Sequence, residues 1–557
     1  MRVEFRAVPP PTPLSALRDA VLDEARAIAG GEVPRVELAP PAQAEHGDLA
    51  TPVALALARL AKRSPREIAE YLTVRLLARE DVGSLIASAE VAGPGFVNLV
   101  LAPAWFAAAA AAIAGAARYG AGSADPAEEI LLEFVSANPT GTLHVGHARQ
   151  AAYGDSLARI LDFAGHSVER EFYMNDFGRQ MTLFGVSLAA RYGQLLGRPA
   201  EVPEDGYHGD DIADVARQIL DEVGDRYAAD PMVEDAVAFF QGRGRELMIA
   251  AIQSDLATFR VRFDRFFSET SLHESGAVSR GLDALLQAGD AYRAEGAVWF
   301  RTTSYGDEKD RVLVRSDGVT TYLASDVAYH LDKAGRSGQR LIDVLGADHH
   351  GYIARLKAVL AAAGHDPERL EVQILQLVSL LEHGEAKKMS KRSGTAVTLR
   401  ELVSDIGVDA ARFFLVERSH ETAFDLDLDL AREQSQENPV YYVQYAHARI
   451  AGILAQIGAT AGAQEAPAQL DPSERALVLR LARWPEAAAE AAVRRAPHRV
   501  ATYLGELAGD FHRFYHRCRV VGEEPTVEAF RLDVCRATAA TVRLGLDLLG
   551  VEAPDRM

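Results

Sequence analysis

The sequence predicts an α/β protein: a Rossmann-like parallel sheet, preceded by a small α+β module and followed by an all-α bundle. Short apolar runs at 130–135, 341–345 and 372–378 alternate with stretches of helical periodicity, which is the pattern of parallel strands wound by helices. Strand and helix patterns mix in the first part of the chain, whereas the last 118 residues carry helical patterns without a strand pattern. A chain of 557 residues is too long for one core.

The order of these patterns predicts the domain organisation. Residues 1–118 form the N-terminal α+β module, and residues 119–380 form the Rossmann-like domain. Within that domain, residues 197–256 are polar and helical and are interpreted as an insertion. Residues 381–439 connect it to a helical bundle at 440–557.

The first chemical motif follows the apolar run at 130–135, where a Pro/Gly loop leads into a helix at His144-Val145-Gly146-His147. A helix N-terminus presents unpaired N–H groups and the positive end of the helix dipole, so it stabilises an anion. His144 and His147 are three residues apart and share a helix face. Gly146 leaves room for a flat ligand against the backbone. The motif therefore predicts a nucleotide phosphate site.

A second motif is an unusual concentration of lysine. The chain has 59 basic residues but only seven lysines, and Lys387, Lys388 and Lys391 fall within five positions. A compact ammonium on a flexible stem suits transient neutralisation of a phosphate better than the rigid guanidinium does. The alternative interpretation is a solvated basic loop.

Together, HVGH and the later KMSKR resemble the HIGH and KMSKS signatures of class I aminoacyl-tRNA synthetases. Four further segments are similar to bacterial arginyl-tRNA synthetases, and the similarity runs nearly end to end: EFVSANPTGTLHVGHAR, GADHHGYIARLK, DAARFFLVERS and NPVYYVQYAHARI. The resemblance implies a class I catalytic domain, an N-terminal domain that binds the tRNA elbow and a C-terminal anticodon-binding bundle. It also implies an arginine–tRNA ligase, which activates L-arginine with ATP and transfers it to the 2′-hydroxyl of the terminal adenosine of tRNA(Arg).

The resemblance assigns the nucleotide chemistry to the two motifs. The implied catalytic residues are His144, His147, Lys388 and Lys391. The implied ATP-binding residues also include Gly146, Gly346, Asp348, Met389 and Ser390. Mg²⁺ is expected to accompany the triphosphate, because it needs few protein ligands.

Arginine carries a planar cation with five donors, so a specific pocket should offer carboxylates and an aromatic face. The resemblance implies four arginine-binding residues, Asn138, Glu269, Tyr322 and Asp326, and we add Glu133 and His349 as candidates. Tyr322 and Asp326 are four residues apart and share a helix face. Glu133 interrupts an apolar strand and must face solvent or be paired. His349 stands where relatives place Gln. Asp348, His349 and His350 could instead suggest a metal site, although adjacent residues rarely converge on one ion, so the prediction contains no metal-binding residue.

The charge distribution bears on tRNA binding. The formal net charge is −20, but residues 440–557 hold 14 Arg, no Lys and 14 Asp plus Glu, so the rest of the chain carries the whole surplus. The bundle is therefore relatively basic, as a phosphate-binding region should be. The resemblance implies tRNA contacts at both ends of the chain, at Phe96, Asn98, Tyr441, Tyr445, Arg556 and Met557.

Other features limit the class of protein. The two cysteines, Cys518 and Cys535, provide neither a disulfide framework nor a structural zinc site. The uncharged run at 101–117 is short for a membrane span and predicts a soluble helix, and no apolar segment follows the N-terminal charges as in a signal peptide. We therefore expect a cytoplasmic protein without a membrane partner, and a monomer is the default for the family.

Three alternatives remain. Another class I synthetase is the nearest, although a cysteinyl enzyme would need a zinc thiolate cluster, and acidic amino acids would need a basic pocket. A nucleotidylyltransferase shares HxGH but is far shorter. A noncatalytic tRNA-binding paralogue would have no reason to keep both motifs.

Overall fold

The computed structural model describes residues 12–33, 36–336, 340–387, 397–457, 463 and 465–557. The strands, in chain order, are β1 Leu49–Thr51, β2 Ile86–Ala92, β3 Phe96–Leu101, β4 Glu129–Glu133, β5 Ser167–Met174, β6 Arg265–Ser268, β7 Ala291–Ala294, β8 Ala297–Phe300, β9 Arg311–Val314, β10 Arg340–Gly346, β11 Leu370–Leu375, β12 Val378–Glu382, β13 Glu385–Ala386 and β14 Phe424–Asp427.

The α-helices are α1 Pro13–Ala29, α2 Val53–Ala61, α3 Pro65–Leu77, α4 Pro103–Gly115, α5 Val145–Ala164, α6 Arg179–Leu195, α7 Asp210–Val223, α8 Glu234–Thr258, α9 Glu269–Glu274, α10 Ala277–Ala288, α11 Tyr322–Arg336, α12 Ile353–Ala362, α13 Leu399–Val416, α14 Leu428–Arg432, α15 Pro439–Ile457, α16 Pro472–Ala482, α17 Trp484–Val493, α18 His498–Arg517 and α19 Pro525–Leu548.

In the N-terminal module, α2 and α3 pack on an antiparallel sheet of order β1-β3-β2, and α1 packs on α2, α3 and α4, as the α+β prediction required. Its local signals are clear: Ser64 caps α3 in a capping box with Glu67, and Pro65 follows at the first helical position. The predicted soluble helix in the uncharged run is α4, which buries Trp105 and Phe106.

The core is a parallel sheet of order β11-β10-β4-β5-β6, which confirms the Rossmann-like prediction. The chain runs outward from β4 through β5 to β6, then returns to the other side of β4 for β10 and β11. The carboxyl ends of β4 and β10 therefore flank the topological switch point, where open α/β sheets bind their ligands.

Helix α5 crosses β4 at very close range. An added Cβ at Gly154 would lie 2.3 Å from the Phe134 ring, so only glycine fits at this crossing. The close contact between Gly154 and Phe134 sets the orientation of α5 relative to the sheet and its distance from the sheet. It thereby fixes the start of α5, where the HVGH motif lies.

The predicted strand at 372–378 is split in two by the structure. Its first part ends β11 at Leu375, and its last residue, Val378, begins β12 in a separate sheet of order β13-β12-β14. At the break, the guanidinium of Arg149 on α5 donates to the carbonyl of Gln376 and, at 3.4 Å, to that of Leu377. At the same place the Gln376 amide donates to the His420 carbonyl at 2.9 Å, and the Leu377 carbonyl accepts from the Phe424 amide of β14 at 3.3 Å. From here the chain pairs with β14 and no longer with β10.

The segment interpreted as an insertion is helical, with α7 and α8 packed against α6. A small antiparallel sheet of β7, β8 and β9 lies between β6 and α11 along the chain.

After β14, the described part of the chain to Val551 forms only helices, which agrees with the predicted bundle. The bundle contacts the N-terminal module through hydrogen bonds as well as through packing of α4 on α19. The Arg475 guanidinium donates to the Asp48 carboxylate at 3.1 Å and to the Leu101 carbonyl at 3.0 Å. Among the described residues, no helix is long and apolar enough to cross a membrane.

Candidate active site

The HVGH motif forms the N-terminus of α5 with a reciprocal cap. Nδ1 of His144 accepts from the Gly146 amide at 3.1 Å, and Nδ1 of His147 accepts from the His144 amide at 3.3 Å. The two rings stack with centroids 3.8 Å apart. Because Nδ1 of each ring is an acceptor, each neutral ring carries its proton on Nε2. The pair is therefore built to donate two Nε2–H groups beside a helix N-terminus.

The predicted lysine motif, with Lys388, Met389, Ser390 and Lys391, lies outside the described residues. The chain on its C-terminal side is bound directly to the HVGH segment: the Val145 amide donates to the Val397 carbonyl at 3.1 Å, and the Leu399 amide donates to the Leu143 carbonyl at 2.7 Å. These bonds place Val397 and Leu399 beside the start of α5.

The chain leaves β4 through two residues of unusual backbone conformation. Val135 and Ser136 have positive φ angles of 69° and 44°, which a β-branched residue such as valine rarely adopts. The Ser136 hydroxyl donates to Glu133 at 2.8 Å and accepts from the Tyr173 amide at 3.2 Å. These bonds stabilise the sharp exit from the strand, which directs the following loop toward the switch point.

Glu133, which the sequence predicts in the arginine site, is buried and accepts hydrogen bonds from several donors. In addition to Ser136, it accepts from the Tyr329 hydroxyl at 3.0 Å and from the Lys333 ammonium. Lys333 also donates to Asp343, the register partner of Glu133 on β10, at 2.6 Å. The structure thus places Glu133 within a buried charge network under the switch point.

Glu269, the predicted second guanidinium acceptor, begins α9 and is buried. Its Oε1 lies 3.6 Å from Nε2 of His273, which also lies 3.3 Å from the Ser325 hydroxyl. Phe177 stacks on the His273 ring at a centroid distance of 3.6 Å. Because Ser325 immediately precedes Asp326, His273 links the two helices that carry the predicted carboxylates.

Asp326 lies on α11 in an environment that disfavours the ionised form of its carboxyl group. Burial raises its pKa to about 7, and the nearby carboxylates of Glu269 and Glu133 act in the same direction. Burial also raises the pKa of Tyr173, as do the charges of Glu269 and Asp326, so this ring lies among the same carboxylates. A cation entering here would meet two carboxylates and an aromatic face.

The remaining predicted ligand residues lie on several different elements. Tyr322 is the first residue of α11 and is 59% exposed, so its ring is open to a ligand. Asn138 is half-buried and donates to the side chain of Gln180. Gly346 ends β10, and a Cβ there would lie 2.8 Å from the Asp348 carboxylate and 3.6 Å from the Gln150 amide of α5. Asp348 and His349 follow it with exposed side chains, 3.6 Å apart.

The predicted tRNA-binding residues lie on two modules, the N-terminal module and the C-terminal bundle. Phe96 is 39% exposed on β3, whereas Asn98 is buried in the same strand. In the bundle, the rings of Tyr441 and Tyr445 stack in parallel, 6.0 Å apart. Arg556 and Met557 are exposed at the end of the chain.

A guanidinium extends the tyrosine stack on the bundle. Arg449 lies 4.6 Å from the Tyr445 ring and 4.4 Å from the Tyr515 ring, and it donates to the Tyr445 hydroxyl at 2.7 Å. Stacked rings with a sandwiched cation form a surface on which bases can stack. The sequence reasoning named Tyr441 and Tyr445 but missed Arg449 and Tyr515.

Sequence reasoning also missed Tyr173, His273 and Lys333. Tyr173 and His273 belong to segments without a motif, and only the fold brings them to the predicted carboxylates. Lys333 had one available signal: it is one of seven lysines in the chain and lies within an amphipathic helix. Among the residues that the structure describes, no group of three or more His, Cys, Asp or Glu side chains is placed to hold a metal ion.

Comparison with protein families gives three matches that together span most of the chain. The arginyl tRNA synthetase N terminal domain matches residues 15–101, and the catalytic domain of class I (R) tRNA synthetases matches residues 111–450. The DALR anticodon binding domain matches residues 443–557.

Similar proteins and structures agree with these matches. The arginine–tRNA ligase of Shouchella clausii is 48% identical over 547 residues, 97% of this chain and 98% of that protein. The ligase of Geobacillus thermodenitrificans is 46% identical, with the same shares covered. Among solved structures, Thermus thermophilus arginyl-tRNA synthetase is 26% identical with a TM-score of 0.74, covering 97% of this chain and 99% of that one.

Proposed function

Because this chain belongs to the arginyl-tRNA synthetase family and is an arginine–tRNA ligase, we propose that the region between α9 and α11 is its arginine pocket and that HVGH is its phosphate site. The observation that carries the proposal is that His273 lies 3.6 Å from the Glu269 carboxylate and 3.3 Å from the hydroxyl of Ser325, the neighbour of Asp326. Both carboxylates add to the rise that burial causes in the pKa of Tyr173, which agrees with a ring close to them. A planar cation with five donors is the ligand that such a pocket fits.

In the first step, the carboxylate of arginine attacks the α-phosphorus of ATP, and pyrophosphate leaves with the electron pair of the broken P–O bond. Negative charge accumulates on the phosphoryl oxygens, so donors that are already in place lower the barrier. The Nε2–H groups of His144 and His147 supply two such donors at the start of α5. Lys388 and Lys391 are proposed to neutralise the leaving pyrophosphate.

In the second step, the 2′-hydroxyl of the terminal tRNA adenosine attacks the arginyl carbonyl, and AMP leaves. The proposal assigns the guanidinium to Glu269 and Asp326, the aromatic face to Tyr322, and the backbone end of arginine to Asn138 and His349. Glu133 supports the pocket from below through its bond to Ser136.

The ATP site is completed by Gly146 in HVGH and by Gly346 and Asp348 after β10, with Met389 and Ser390 of the lysine motif. Mg²⁺ accompanies ATP in this proposal and is held mainly by the phosphates, because Mg²⁺ requires few protein ligands.

The tRNA is proposed to contact both end modules, through Phe96 and Asn98 on one and Tyr441, Tyr445, Arg556 and Met557 on the other. The partners are tRNA(Arg), L-arginine and ATP, and the enzyme is proposed to be a cytoplasmic monomer without structural zinc. The module limits at residues 118, 380 and 439 are part of the same proposal.

The experiment that tests it is ATP–pyrophosphate exchange with tRNA present. His147→Ala should lower kcat about 100-fold with little change in arginine KM, because its donor faces charge that develops during the reaction. Glu269→Gln should raise arginine KM and leave ATP KM unchanged, because its carboxylate is assigned to arginine alone. His365→Ala, after α12, is the control. A Glu269→Gln enzyme with wild-type arginine KM, or a His147→Ala enzyme with wild-type kcat, would refute the corresponding assignment.

A further inference from the structure

Asp176 lies outside the proposed pocket, in the loop after β5, with a side chain that is 2% exposed. Its carboxylate accepts from the Ser268 hydroxyl at 2.7 Å and from the Thr270 amide at 3.0 Å. Its backbone carbonyl accepts from the Thr270 hydroxyl at 3.0 Å. All three bonds reach the two residues that flank Glu269.

These bonds replace a missing helix cap. Ser268 is the N-cap of α9, but its side chain makes no capping bond to that helix. The Thr270 amide, in the first turn, is instead satisfied by Asp176 from another part of the chain. Because α9 has six residues, it is too short to be stable without outside contacts. The position of its first turn therefore depends on Asp176.

The charge of Asp176 is balanced from the helical insertion. Arg245 on α8 lies 3.4 Å from the carboxylate, and a buried carboxylate requires such a partner or several donors. Asp176 therefore joins three elements: the loop after β5, the insertion and the start of α9.

We infer that Asp176 is a positioning residue that sets the place of the Glu269 carboxylate, and thereby the affinity of the pocket for the guanidinium. The inference rests on the proposed role of Glu269. A displacement of the backbone at 268–270 moves the Glu269 side chain with it, and a carboxylate moved by a fraction of an ångström loses the paired geometry of a bidentate contact.

The test is a double-mutant cycle between Asp176→Ala and Glu269→Gln in the full-length enzyme, measured as arginine KM and ATP KM in pyrophosphate exchange with saturating tRNA. Asp176→Ala should raise arginine KM roughly tenfold with ATP KM unchanged. The same change should have little further effect in the Glu269→Gln background, because residues that act through one contact are not additive.

Two further variants complete the test, one as a control and one as a substitute for the alanine variant. Asp533→Ala is the matched control, because Asp533 is a buried carboxylate that accepts a backbone amide at 2.8 Å and pairs with an arginine, but lies in the distant bundle. It should leave arginine KM unchanged. Asp176→Asn preserves the side-chain volume and replaces Asp176→Ala in the cycle if the alanine variant does not fold.

The outcomes separate the inference from the proposed function. An equal rise of arginine KM on both backgrounds, or an equal rise in Asp533→Ala, overturns the inference and leaves the role of Glu269 intact. An unchanged arginine KM in Glu269→Gln alone overturns the proposed pocket, and the inference with it.

Discussion

The buried ammonium of Lys333 donates to the Asp343 carboxylate at 2.6 Å, directly beneath the switch point of the sheet. Although burial acts to raise it, the charge of Lys333 and the hydrogen bond with His330 hold the pKa of Asp343 below its usual range. The same ammonium also pairs with the Glu133 carboxylate on the neighbouring strand β4. One cation therefore connects the carboxyl ends of β4 and β10, which flank the switch point.

Replacing Lys333 by Met should destabilise the protein by about 3 kcal/mol or more, because two buried carboxylates lose their shared cation. Urea unfolding measures the loss. Lys357→Met is the matched control: Lys357 pairs with Glu368 at 2.8 Å, but the Glu368 side chain is 74% exposed, so its loss should cost less than about 1 kcal/mol. Equal losses in the two variants would contradict the account.

Arginine KM should depend on pH through Asp326. Its pKa in the ligand-free protein is raised to about 7 by burial, and only the ionised carboxylate pairs with a guanidinium. Arginine KM should therefore rise about tenfold as the pH falls from 8 to 6, with a smaller change in ATP KM. Asp326→Asn should have a high arginine KM that varies little over this range. If the arginine KM of the wild-type enzyme did not change between pH 6 and 8, ionisation of Asp326 would not control arginine binding.

Gly154 and Gly505 should respond oppositely to alanine. At Gly154 a Cβ would lie 2.3 Å from the Phe134 ring, so Gly154→Ala should destabilise by about 1 to 3 kcal/mol. At Gly505, inside α18, nothing lies within 4 Å of the added Cβ, so alanine should stabilise by about 1 kcal/mol. Thermal unfolding measures both changes, and a Gly154→Ala protein as stable as wild type would show that the contact between α5 and Phe134 is not tight.

Deleting Arg556 and Met557 should raise tRNA KM roughly fivefold, the loss of about 1 kcal/mol of contact, with ATP KM unchanged. The chain before them stays anchored, since the Glu552 amide donates to Asp409 at 3.1 Å and the Pro554 carbonyl lies 3.0 Å from Nδ1 of His447. Aminoacylation at varied tRNA concentration checks this, and wild-type tRNA KM in the truncated enzyme would remove the C-terminus from the tRNA site.

The sequence predicted the architecture because its signals are local. Apolar runs, caps and the HVGH turn are each contained in a few residues, and the structure places HVGH at the helix start where the pattern predicts it. The split of the strand at 372–378 could not be predicted, because the contacts at the break come from other parts of the chain: the guanidinium that binds the Gln376 carbonyl belongs to Arg149, 227 residues earlier.

The pocket residues were predicted mainly where the sequence matches a motif of the family residue by residue. Glu269 and Asp326 were named in that way, but their environment depends on partners far away in the chain. Lys333 is 200 residues from Glu133, and Asp176 is 94 residues from Thr270. In sequence, Asp176 is only an acidic residue in a turn, so its contacts with Ser268 and Thr270 become visible only in the fold.

The central claim is that two carboxylates recognise the guanidinium of arginine, and titration calorimetry with arginine and its neutral analogue citrulline tests it most directly. The account predicts that wild-type enzyme binds arginine at least about 100-fold more tightly than citrulline, because the urea group lacks the charge and one set of donors. The ratio of arginine affinity to citrulline affinity should be markedly smaller in Asp326→Asn. Equal affinity for both ligands, or an unchanged ratio in the variant, would contradict the claim.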